Sequence, residues 1–136
     1  MGRVLGLDVG DIRIGVALSD LLMITAQGIE TYTRKDEEAD IRYFCDLMDK
    51  QDVDTLVVGL PKNMNGTIGE QAEKVQDFAG KLKAACGRKL IYWDERLTTK
   101  SAHRTLLEAD MSRKKRKAVV DKIAAVYILQ GYMDSL

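Results

Sequence analysis

The chain holds few of the residues that staple a fold, ligate a soft metal or span a bilayer. Cysteine occurs twice in 136 residues, at Cys45 and Cys86, and the two match neither a zinc-ligand nor a redox spacing. A disulfide framework and a thiolate metal site are therefore excluded as organising devices, and two reduced thiols in a cytoplasmic protein are expected. The single histidine, His103, leaves no imidazole cluster for zinc and no support for a Ser-His-Asp triad. No apolar run approaches the ~20 residues that a membrane span requires. The N-terminal residues enter a strand pattern without a basic leader or cleavage site, so neither export nor a membrane partner is expected. Lys plus Arg and Asp plus Glu stand at 21 each, which removes global basicity as a sign of nucleic-acid binding. A local cluster can still hide inside such an average.

There is no repeat, low-complexity tract or linker-like segment, and the length suits one domain over 1–136 with a sizeable core. Residues 4–9 and 14–19 read as a β-hairpin, with Gly10 expected to supply a positive φ at the turn. Residues 28–33 have the β-branched and aromatic content of a third strand. Over 36–50, Ile41, Phe44, Cys45 and Met48 recur at helical spacing. Residues 55–59 (TLVVG) form a compact strand buried on both faces. The loop over 60–69 (LPKNMNGTIG) follows, and Thr67 with Glu70 three residues later predicts a capping box. The next helix carries Val75, Phe78, Ala79 and Leu82 on one face and ends near Gly87. A strand over 90–93, a helix capped by Thr98 or Thr99 with Ala102, Leu106 and Leu107, and a last helix over 115–134 complete the order. Three meandering strands followed by α-β-α-β-α-α make an α/β layer fold with a mixed sheet.

Three carboxylates stand where acids are disfavoured. Asp8 interrupts an apolar strand, and an unpaired acid there is costly. Asp121 shares the helical stripe of Ala118, Ala125 and Ile128, so it points where the apolar face points. Glu95 lies at the carboxyl end of a strand, where α/β sheets bind ligands. Convergence of the three on one sheet end would suit a hard divalent cation such as Mg²⁺ or Mn²⁺. Two such ions ~3.5–4 Å apart activate water and stabilise a leaving oxygen in phosphodiester cleavage. The alternatives are structural: Asp8 paired with Arg13 or a lysine of the last helix, Glu95 bonded to Arg96, and Asp121 bridged to Lys117 at i−4. Asp94, beside Glu95, can exchange roles with it on spacing alone.

The blocks LGLDVG with RIGVALSD, VVGLPKNMNGTIG, WDERLTT and DKIAAVYILQGY, in this order over essentially the whole chain, resemble the YqgF (RuvX-like) family. That family comprises Holliday junction resolvase-like proteins and pre-16S rRNA processing nucleases. The resemblance implies an RNase H-like fold: a mixed five-stranded sheet, three antiparallel strands and then parallel strands, with helices on both faces. It carries an acidic, metal-dependent site over as Asp8, Glu95 and Asp121, and it implies hydrolysis without a covalent protein intermediate. Where the family commonly has a small or hydroxyl residue and then a basic one after Gly10, this chain has Asp11 and Ile12. An extra acid there would repel a phosphate backbone unless it faces solvent or joins the metal shell, and Arg13 is left to carry the positive charge.

Arg113, Lys114, Lys115, Arg116 and Lys117 form the only dense basic run. Five positive charges at a helix N-terminus oppose the macrodipole, which favours a polyanion nearby over a merely solvated face. Lys62, Asn63, Asn65 and Thr67 make a polar loop at the ligand-prone sheet end, either a plain turn or a substrate-facing one. Trp93 and Tyr92 read as core and edge. The expected partner is structured RNA (pre-rRNA, in the context of the small ribosomal subunit precursor) or branched DNA, bound by a monomer or weak homodimer. A junction resolvase requires two-strand symmetry, while rRNA end maturation does not. Two other classes compete: a non-catalytic rRNA-binding module resting on the basic run, and an ATP-binding phosphotransferase, since LGLDVGDIRIGVA also resembles the phosphate loop of actin-like kinases. Those kinases bind nucleotide between two such domains, and this chain has room for one.

Overall fold

A computed structural model describes residues 2–97 and 113–136. Strands β1 (Arg3–Val9), β2 (Arg13–Ser19) and β3 (Ala26–Thr33) come first, then helix α1 (Glu37–Lys50), β4 (Val53–Leu60), α2 (Glu70–Cys86) and β5 (Lys89–Asp94). A single 3-10 turn over Glu95–Leu97 follows, and α3 (Arg113–Asp134) closes the chain. The sheet order is β3-β2-β1-β4-β5, antiparallel from β3 to β1 and parallel from β1 to β5. The mixed sheet and its strand polarity are as expected. No helix among the described residues is long and apolar enough to cross a membrane.

Strand alternation sorts the side chains onto two faces. Leu5, Leu7, Val9, Ile14, Val16, Leu18, Leu56, Val58 and Leu60 meet Phe44 and Met48 of α1 and Val75, Phe78, Ala79 and Leu82 of α2. On the opposite face Val4, Ala17 and Val57 meet Ala125, Ile128, Leu129 and Met133 of α3. Asp8 follows Val4 and Gly6 on that second face. Helix α1 begins where Asp36 accepts a hydrogen bond from the Ala39 amide at 2.8 Å. Helix α2 ends at Gly87, whose φ of 70° lets its amide reach the Lys83 carbonyl.

Two sequence expectations are corrected. Gly10 has no positive φ. Its requirement is room: a Cβ there would stand 2.8 Å from the Arg13 carbonyl oxygen that its own amide bonds. Thr67 does not cap α2. Gly69 occupies the cap position without a side-chain bond, and Thr67 instead donates to Asn65 Oδ1 at 2.7 Å, because it lies two residues too early to reach the helix amides. Cys45 and Cys86, remote in sequence, come within hydrogen-bonding reach where α1 packs on α2, and both are free thiols. The expected helix after Thr98 or Thr99, with Ala102, His103, Leu106 and Leu107, falls outside the described residues.

Candidate active site

Asp8 reaches the carboxyl end of β1 one residue before the strand stops, and Glu95 stands immediately after β5, beyond β4. Gly59 of β4 bridges that gap. A Cβ at Gly59 would lie 2.7 Å from Glu95 Cδ, so the missing side chain is what admits the Glu95 carboxyl to the sheet end. Glu95 is 7% exposed, and its carboxyl hydrogen-bonds Asp8. Burial raises the pKa of both acids, and for Glu95 the hydrogen bond to Asp8 and the Asp8 charge raise it further. For Asp8 the Glu95 hydrogen bond pulls the other way, so the protonated Glu95 donates and Asp8 accepts. Two carboxyl groups this close cannot both ionise without a cation, and they titrate as a pair.

The third acid arrives from α3. A Cβ at Gly15 would overlap the Asp121 carbonyl oxygen, and Gly15 is the register partner of Asp8 across the β1–β2 ladder. The helix thus rests its backbone on β2 one strand away from Asp8, and the Asp121 charge raises the Asp8 pKa in turn. The Asp121 carboxylate takes a different partner: Arg13 Nε donates to its Oδ2 at 2.9 Å. Burial raises the Asp121 pKa, and Arg13 offsets part of that rise.

Two of the structural alternatives are answered among the described residues, while the bridge from Asp121 to Lys117 and a pairing of Asp8 with a lysine at the start of the last helix fall outside them. Arg13 pairs with Asp121, not Asp8. Arg96 pairs with Asp94, gripping its carboxylate from Nε and Nη2 at 2.9 and 2.6 Å, so Asp94 is committed and held below the ordinary carboxylate range while Glu95 turns inward. Asp11 is exposed, and its Oδ1 lies 3.8 Å from Lys74 Nζ on α2.

The loop over 60–69 is tied to the same end. Asn63 Nδ2 donates to Thr67 Oγ1 at 3.0 Å, the Thr67 amide donates to Asn65 Oδ1 at 3.1 Å, and Arg96 Nη1 reaches the Met64 carbonyl at 3.3 Å. Asn63 and Asn65 thus shape the loop, and Lys62 lies close enough to Asp94 to help keep it ionised. Arg113, Lys114, Lys115, Arg116 and Lys117 begin α3, but their side chains fall outside the described residues.

One supporting cluster was missed in the sequence. Asp40, 1% exposed, accepts from Tyr32 Oη at 2.8 Å, Arg34 Nε at 2.9 Å and the Lys35 amide at 3.0 Å. Burial alone would raise its pKa, but these donors hold it below the usual range. Arg34 also donates from Nη1 to the Gly10 carbonyl at 3.0 Å, and its amide to the Ile12 carbonyl at 2.8 Å, so the cluster anchors the turn that carries Arg13. The signal was present: Asp40 stands four residues before Phe44 and eight before Met48 on the buried stripe of α1, an acid at a core position just like Asp121.

The donor set fits a hard divalent cation. All the candidate ligands are carboxylate oxygens, and a buried pair holds a proton that a cation would replace. Among the described residues no three acidic, histidine or cysteine side chains draw together tightly enough to enclose an ion, and the Asp121 carboxylate is engaged by Arg13.

The RuvX family, described as Holliday junction resolvase, matches residues 2–135. The chain belongs to the RuvX family. A protein of Clostridium acetobutylicum named "Putative pre-16S rRNA nuclease" is 60% identical over 98% of this chain and 99% of its own length. One of the same name from Clostridium tetani is 56% identical over 98% and 97%. Among solved structures, Thermus thermophilus RuvC in complex with a Holliday junction substrate superposes with a TM-score of 0.63 at 10% identity, covering 99% of this chain and 95% of that one. The Fowlpox virus resolvase bound to junction DNA gives 0.60 at 11%, covering 98% and 97%. At such identity these two share the fold with this RuvX chain, and its site is argued from its own residues.

Proposed function

We propose that this RuvX chain is a metal-dependent nuclease that hydrolyses phosphodiester bonds in structured nucleic acid, with the end of the 16S rRNA precursor as substrate. The observation that carries the reading is the proton-sharing Asp8–Glu95 pair at the carboxyl end of the parallel strands. A buried acid pair is a standing cost to the fold unless a cation takes the proton's place. A non-catalytic RNA-binding module would carry that cost without use.

Asp8, Glu95 and Asp121 would hold Mg²⁺ or Mn²⁺, two ions in the full complement. When bound, such cations lower the pKa of water and neutralise charge on the departing oxygen. Glu95 would give up its proton to make room for a bound cation, so cation affinity should strengthen with rising pH. Arg13, Lys62 and Arg96, with Arg113, Lys114, Lys115 and Arg116, would contact phosphates, which positions a strand without reading its sequence. Asn63 and Asn65 hold the loop over 60–69 against the same strand. Hydrolysis proceeds by direct attack of water, so no residue is modified during turnover. The reaction belongs in the cytoplasm, where ribosomal precursors are made. The substrate choice rests on the names carried by relatives at 56–60% identity.

The family description favours a second substrate, a four-way DNA junction. Both are tested together. Purified protein is given a 16S precursor end fragment or a four-way junction, with Mg²⁺ or Mn²⁺. Cleavage of the RNA, lost by about 10³-fold or more in Asp8→Asn while the fold persists, supports the reading. Symmetric nicking of the junction with no action on RNA transfers it to DNA. Metal-dependent cleavage that survives Asp8→Asn at the wild-type rate overturns it.

A further inference from the structure

Arg13 and Asp121 are 108 residues apart in sequence and 2.9 Å apart in space, with side chains 32% and 24% exposed. A part-exposed ion pair of this kind is weak and exchangeable. Its position is what gives it a consequence. Arg13 and Gly15 project on the same face of β2, two residues apart. Gly15 lies under the Asp121 main chain and in register with Asp8. The Asp121 main chain therefore lies on β2 beside Asp8, close enough for its charge to act on that acid, while its carboxylate is held by Arg13 two residues along the same strand. The Arg13 side chain makes one hydrogen bond among the described residues, from Nε, and a guanidinium has five N–H donors.

We propose that Arg13 is a positioning residue that holds Asp121 in reserve: Asp121 leaves Arg13 to join Asp8 and Glu95 on a divalent cation, and the released guanidinium takes a substrate phosphate. This rests on the nuclease reading above. A divalent cation outcompetes a single guanidinium for a carboxylate at similar distance, and a phosphate diester is a natural second partner for the freed fork. The exchange couples cation entry to phosphate capture, since each removes one obstacle to the other.

The test reads cation binding, with no turnover involved. Free Mn²⁺ is counted by electron paramagnetic resonance at pH 8 for wild type, Arg13→Ala, Asp121→Asn and the double variant. Exchange predicts that Arg13→Ala binds Mn²⁺ three- to tenfold tighter and Asp121→Asn at least fivefold weaker. The double variant should match Asp121→Asn, because the effect of Arg13 runs through Asp121. A mere strut predicts the opposite sign, with Arg13→Ala weaker as the site loosens, and that result overturns the proposal. Equal tightening by Arg13→Ala in the presence and absence of the Asp121 carboxylate also overturns it, since simple charge removal then suffices. Wild-type Mn²⁺ binding that is unaffected by Asp8→Asn overturns the nuclease reading and this proposal together. Binding lost in Asp8→Asn but unchanged in Arg13→Ala overturns the exchange alone.

Discussion

The two faces of the sheet are built from the same strands to opposite ends. Toward α1 and α2 the central strands present Leu5, Leu7, Val9, Ile14, Val16, Leu56 and Val58, all buried, closing on Phe44 and Phe78. Toward α3 they present Gly6, Asp8, Gly15, Ala17 and Gly59 beside Val4 and Val57. Large side chains keep a helix at a distance and fill the gap with dispersion contacts. Glycines let α3 settle its backbone on the strands, and the closeness brings Asp121 to the strand beside Asp8. One face is therefore an investment in stability and the other an arrangement of charge, and changes on the two should break different properties.

The largest effect on stability is expected on the aliphatic face. Phe44→Ala removes a fully buried ring from the joint core of α1 and the sheet and should cost about 3–5 kcal/mol in urea unfolding. The cation affinity of the folded fraction should stay unchanged, and a parallel loss of it would erase the contrast between faces. Asp40→Asn, on the same side, should cost about 2–4 kcal/mol at pH 7, since it leaves the half-buried Arg34 without its charge partner. The Asp40 pKa lies below its unfolded value. Its contribution is thus full above the ordinary carboxylate range near pH 4 and is lost as pH falls through the folded value. Acid denaturation of Asp40→Asn should consequently show a shallower limb than that of wild type.

Gly15→Ala sharpens the comparison from the other face. The new methyl group must push α3 off β2, at about 1–3 kcal/mol, and activity should fall further than the stability loss explains. The smallest effect is of opposite sign. Asp8 and Glu95 have folded pKa values above their unfolded ones, so the folded state binds the extra proton. Stability then declines as pH rises from the unfolded carboxylate range near 4 toward the folded values. Asp8→Asn should therefore stabilise the cation-free protein by about 1 kcal/mol at pH 8 and flatten the dependence of Tm on pH. A loss of Tm at pH 8 would show that the acid pair is part of the scaffold after all.

Much of this was legible along the chain. Period-two and period-3.6 patterns located every described strand and helix to within a few residues, because burial of a face is a local demand that each element writes into its own sequence. The oddity of Asp8 and Asp121 was legible for the same reason: an acid on an apolar stripe breaks the pattern. Asp40 breaks the pattern in the same way, but it stands among other acids in the first turn of α1, where acidic residues are ordinary. The Gly10 and Thr67 readings failed where a residue type has more than one local use.

Partnerships were decided elsewhere. Nothing in the sequence distinguishes Arg13–Asp121 from Arg13–Asp8, or assigns Arg96 to Asp94 in preference to Glu95. Those choices depend on where α3 comes to rest on β2 and on the room that Gly59 leaves beside β5. The sequence by itself determined which residues are apolar by period, and hence the elements, their order and the positions where charge is out of place. Tertiary structure alone decided which charges meet, because electrostatic pairing falls steeply with a distance that only packing sets.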